Sequence, residues 1–145
     1  MHLTFHIALK NPPAQLTYAL QKGSGSQYEA VQVQHSTGSD LHFELIIEIK
    51  GDKHTNELPD FKGPFVQGPV LGRFIYLDIG TYAGATGSWS GRLKIPLAGV
   101  TWSLIDEAIV KSGSALQTTV PGTGKNGAPN CATVKPFDGW KVKVG

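Results

Sequence analysis

From Arg73 to Ile79 the chain is apolar on both sides of an extended segment, with Ile75, Leu77 and Ile79 on one side and Phe74 and Tyr76 preceding Asp78 on the other. A strand with two apolar faces must be covered twice, so it belongs in the interior of a sheet or barrel. The approach to it is equally specific. Gly63-Pro64 and Gly68-Pro69 bracket the short run Phe65 to Gln67, and Gly72 then releases the chain into the strand.

Alternation supplies most of the remaining elements. Leu3, Phe5, Ile7 and Leu9 share one face of residues 2–10, and Asn11-Pro12-Pro13 ends that strand. Residues 16–21 read as a second strand or a short helical turn. Residues 28–34 and 41–50 read as a hairpin, with Phe43, Leu45, Ile47 and Ile49 inward and Ile46 the exception. Further strands are expected at 89–97, 116–120, 132–135 and 140–144, the last two joined by the turn Pro136-Phe137-Asp138-Gly139. One helix is expected at 101–112, where Thr101 can cap the start, Gly113 can end it, and Trp102, Ile105, Ala108 and Ile109 form one stripe. The predicted fold is mainly β: a single-domain antiparallel β-barrel or sandwich of seven to nine strands with one covering helix.

A chain of 145 residues can bury a core without disulfides or a structural metal. Its one cysteine, Cys131, excludes an internal disulfide, and Met1 to His6 lack the basic and apolar regions of a signal peptide, so a cytoplasmic protein is expected. No apolar run approaches the roughly 20 residues of a membrane helix. Charge is uneven: residues 1–60 carry four lysines and seven acids, while 61–145 carry nine lysines or arginines and four acids. The basic residues are scattered, which argues against nucleic acid and for steering of a small anion.

Several catalytic and metal patterns fail on spacing. His2 and His6 stand about 13 Å apart along a strand and cannot share an ion, while His35, His42 and His54 have no short-spaced partner, so no metal or other cofactor is expected. Gly122-Thr123-Gly124-Lys125 has the tail of a phosphate loop, but Thr119 and Asn126 occupy positions where that motif needs glycine and a hydroxyl residue. Ser88-Trp89-Ser90-Gly91 lacks the first glycine of a nucleophile elbow. Cys131 opens an apolar strand and reads as a core residue. Glu44 and Glu48 lie about 13 Å apart, too far for a glycosidase pair.

With Gly63-Pro64-Phe65-Val66-Gln67-Gly68-Pro69 followed by Arg73-Phe74-Ile75-Tyr76-Leu77, the chain resembles a family of small bacterial proteins of uncharacterised function. The likeness is strongest over 61–79 and extends through Arg92 to Leu97 and Gly127 to Ala132. It implies a bacterial, cytoplasmic, single-domain protein and carries no catalytic residue with it.

The remaining candidates gather near one end of the central strand. Arg73 starts a strand that is otherwise apolar, Tyr76 and Asp78 share a face, and Tyr82 and Trp89 lie in or beside the Gly80 to Gly87 loop. This set suits a module that binds a small anionic or aromatic molecule. A cofactor-free isomerase or cyclase using the same end is the alternative. An oligomeric structural or protein-interaction protein is the third.

Overall fold

The computed structural model of the chain describes residues 1–23, 27–55, 57–81, 89–122, 132–133 and 139–143. The first half of the chain gives β1 (His2–Lys10), β2 (Leu16–Lys22), β3 (Glu29–His35), β4 (Leu41–Lys50), β5 (Asp60–Lys62) and β6 (Val66–Gln67). The second half gives β7 (Phe74–Thr81), β8 (Trp89–Pro96), helix α1 (Trp102–Ser112), β9 (Ala115–Pro121), β10 (Ala132–Thr133) and β11 (Lys141–Val142). The strand count exceeds the expected range because two short strands form ahead of β7, β5 before the first Gly-Pro pair and β6 between the two pairs. Two sheets result, ordered β11-β9-β1-β4-β5 and β10-β8-β7-β2-β3, with β6 alongside the start of β7. Among the described residues the architecture is sandwich-like and no barrel closes.

β7 lies between β2 and β8, the interior place its two apolar faces require. Side chains from both sheets meet in one cluster, with Phe5, Leu45 and Leu116 from the first and Leu20, Leu77 and Ile95 from the second. Each large side chain so buried contributes roughly 1.5–3 kcal/mol. The helix closes one side of this core through Ile105 and Ala108, while Ile109, expected on the same stripe, is exposed. Thr101 accepts a hydrogen bond from the Leu104 amide, and Gly113 ends the helix in the left-handed conformation at φ 63°.

Three expectations need correction. The sheets are mixed, not antiparallel: β9 runs parallel to β1, with Phe5 opposite Leu116, and β10 runs parallel to β8. Alternation specifies which residues face inward but not the direction of the neighbouring strand, and here the chain passes through α1 before returning beside β1. The proposed hairpin of 28–34 with 41–50 does not form. β3 pairs with β2 instead, and β4 pairs with β1 and β5. Likewise β10 and β11, expected to be joined by a turn, belong to different sheets.

The separation of β3 from β4 is bridged by side chains. The Gln32 amide both donates to the Glu44 carbonyl (2.5 Å) and accepts from the Glu44 N–H (3.2 Å), and Gln34 donates to the His42 carbonyl (2.8 Å). Gln32 sits at φ 54°, where the β2–β3 register shifts and frees its side chain to reach across. Two glutamines thus stand in for the missing ladder and tie the sheets along one edge.

Candidate functional site

Arg73 lies at the rim of the sandwich, as its place before β7 requires, but its charge is committed. Nε donates to Asp60 Oδ1 at 3.0 Å, Nη2 to Asp60 Oδ2 at 3.3 Å, and Nη1 to the Gly68 carbonyl. The hydrogen bonds from Arg73 hold the Asp60 carboxyl below the usual carboxylate range against its partial burial. Arg73 also borders an apolar cleft of about 500 Å³ walled by Leu58, Phe61, Val70, Leu71, Leu97 and Trp102. With Asp60 in place, it presents no net charge there. Its role is to fasten β5 to the Gly68–Gly72 turn. Arg73→Met is expected to lower stability by about 2 kcal/mol, because it strands a partly buried carboxylate. Urea denaturation would measure this, and a loss below about 0.5 kcal/mol would show the pair to be an ordinary surface contact.

Two of the other expected residues, Tyr76 and Asp78, lie about 10 and 16 Å further along the strand. Asp78 projects from the outer face of β7 yet is fully buried, opposite Ala19 of β2 on one side and Arg92 of β8 on the other. Arg92 Nε lies 3.2 Å from Asp78 Oδ1, close enough for an ion pair, but neither carboxylate oxygen receives a well-aligned hydrogen bond. Burial pushes the Asp78 pKa up from 3.8 to about 6, with the Arg92 charge opposing the rise. Gln21, on the same face of the sheet, is also buried and its amide oxygen has no partner.

Arg92 is held on three sides. Its Cζ lies 5.2 Å from the Tyr28 ring centre and 5.1 Å from that of Tyr76, while Asp78 sits behind it. Tyr76 is edge-on to Phe74, with ring centres 4.9 Å apart, and Lys94 Nζ lies 4.6 Å from the centre of the Phe74 ring. The outer face therefore carries a ladder of cations and rings running Lys94, Phe74, Tyr76, Arg92, Tyr28. One third of the Arg92 side chain remains exposed.

Of the expected set, Tyr76 and Asp78 come together, whereas Arg73 belongs to the far end of the strand. Trp89 pairs through its backbone with Gly80 at the start of β8. Tyr82 lies outside the described residues, as do Cys131 and Lys125. Arg92 and Tyr28 were missed. The outward spacing of Arg92 and Lys94 in β8 was visible, but setting Arg92 opposite Asp78 requires the β7–β8 register, and that register shifts between Ile79 and Gly80. Tyr28 arrives from the segment before β3 with no local signal.

Among the described residues no helix is long and apolar enough to cross a membrane. Nor do three histidine, cysteine or carboxylate side chains converge among them.

The fold and site define a two-sheet β protein with a buried aspartate behind an aromatic-flanked arginine. The chain belongs to a family of unknown function (DUF5990), whose model matches residues 3–143. No curated protein and no solved structure matches it.

Proposed function

We propose that the chain is a single-domain binding module for a small anionic molecule with a planar part, held on the outer face of β7 and β8. The observation that carries this reading is Arg92, exposed at one third and fixed by Tyr28, Tyr76 and the buried Asp78. A guanidinium already immobilised loses little further freedom on binding an oxyanion, and its planar fork suits carboxylate or phosphate oxygens. The flanking rings offer faces to a planar body. A second reading, cofactor-free proton transfer, is supported by Asp78, since a buried carboxyl with a pKa of about 6 is suited to acid–base work near neutral pH.

The test is a thermal-shift screen of aromatic carboxylates on wild type, Arg92→Lys and Arg73→Met. Arg92→Lys keeps the charge and removes the fork. A supporting hit stabilises wild type and Arg73→Met alike and binds Arg92→Lys about tenfold more weakly. An empty screen, or hits that stabilise Arg92→Lys equally, would refute the reading.

A further inference from the structure

The opposite sheet carries a separate concavity. On its outer face a cleft of about 330 Å³ is lined by His6 and Lys10 of β1, His42 of β4, Gln117 and Thr119 of β9, and Lys143 just past β11. Among the described residues no carboxylate lines it. Two described acids at its edge are engaged, Asp40 with Lys10 at 2.9 Å and Glu44 at 3.5 Å from His6 Nδ1.

Lys143 brings to the cleft a charge that no described carboxylate offsets. Among the described residues five lysines and both arginines form ion pairs with carboxylates. Lys22, Lys94, Lys141 and Lys143 form none with a described carboxylate, and of these Lys143 is the one that lines the cleft, with its backbone tied to the Ala115 carbonyl and the residue partly buried. A lysine anchored by its backbone at the edge of the cleft, with no described counter-charge, has all three of its ammonium donors available to an incoming anion.

We propose that this cleft is a binding site for a small phosphorylated molecule, with Lys143 as its principal charge. Lys10, the imidazoles of His6 and His42, the Thr119 hydroxyl and the Gln117 amide are the other donors. They come from four neighbouring strands or strand ends on one face of the sheet, and so many donors are better matched by the three or four oxygens of a phosphate than by the two of a carboxylate. The volume sits at the lower end of the roughly 300–1,000 Å³ typical of small-molecule pockets, so the ligand is of metabolite size.

Isothermal titration with inorganic phosphate at fixed ionic strength tests the site, and acetate at the same ionic strength serves as the carboxylate arm. Wild type is expected to bind phosphate saturably at one site and acetate at least about tenfold more weakly. Lys143→Met should weaken phosphate binding about tenfold, the equivalent of one charged hydrogen bond, and Thr119→Val should weaken it by a smaller factor. Lys141→Met, on the same strand end but outside the cleft, should leave it within about twofold. Should Lys143→Met fail to fold, the Thr119→Val and Lys141→Met pair still decides. Absence of saturable binding overturns the proposal, as does equal weakening by Lys141→Met, unchanged binding by Thr119→Val, or acetate binding as tight as phosphate. Loss of phosphate binding in Arg92→Met would place the anion on the other sheet and overturn the proposal without touching the Arg92 reading.

Discussion

Replacing Asp78 with asparagine is expected to stabilise the protein at neutral pH and to remove much of the pH dependence of its stability. Burial raises the folded pKa of Asp78 from 3.8 to about 6, so the folded state keeps this proton to higher pH than the unfolded state does. Below pH 3.8 both states are protonated and the group exacts no penalty. As pH climbs from there to about 6, the unfolded state ionises first and wild-type stability falls. A shift of this size corresponds to about 3 kcal/mol, fully lost above the folded pKa. Asparagine has no proton to lose, so stability in the variant should not fall across that window. Urea denaturation below, within and above the window measures the difference. If the wild type did not lose stability relative to the variant, Arg92 would outweigh burial and Asp78 would be an ordinary ionised partner. A buried charge that lowers stability is more readily understood as part of a site than as part of a scaffold.

The largest loss is expected for Phe5→Ala, about 4 kcal/mol. Phe5 is fully buried in β1, with Leu45 opposite it on β4 and Leu116 opposite it on β9. Its ring stands edge-on to Trp140, with centres 4.9 Å apart and planes at 84°. Trp140 cannot readily move into the space that alanine would leave, because its indole N–H donates to the Pro96 carbonyl at 2.8 Å. The cavity therefore persists and adds its own cost to the lost transfer energy. Ile46→Ala, on the neighbouring strand with 57% of the residue exposed, is the control and should change stability by less than about 0.5 kcal/mol. Guanidinium denaturation of both variants checks the contrast. A Phe5→Ala loss below about 1.5 kcal/mol would mean that the core collapses around the gap.

Local pattern carried most of the element assignments. The inward residues of β1 and β4, the interior place of β7 and both ends of α1 follow from alternation, capping and glycine. These signals depend only on residues within a few positions of one another. What escaped depended on long-range register. The direction of β9, the partner of β3 and the meeting of Arg92 with Asp78 are set by which strand ends beside which. The candidate site shows the same division: Tyr76 and Asp78 share a face by simple alternation, whereas the pairing of Arg73 with Asp60 and of Arg92 with Asp78 depends on which strands lie side by side.

The place of β1 between β4 and β9 has a consequence for how the chain reaches its structure. Its pairing with β4 joins segments roughly 40 residues apart, but its pairing with β9 joins residues roughly 110 apart, and such distant ladders slow folding toward the millisecond-to-second range. Until β9 docks, one edge of β1 stays open while Leu3, Phe5, Ile7 and Leu9 wait for full cover, and an unpaired apolar strand of this kind is a template for association with other chains. The β1–β9 pairing is therefore a point of kinetic vulnerability, and slower docking of α1 and β9 shifts the partition from folding toward aggregation.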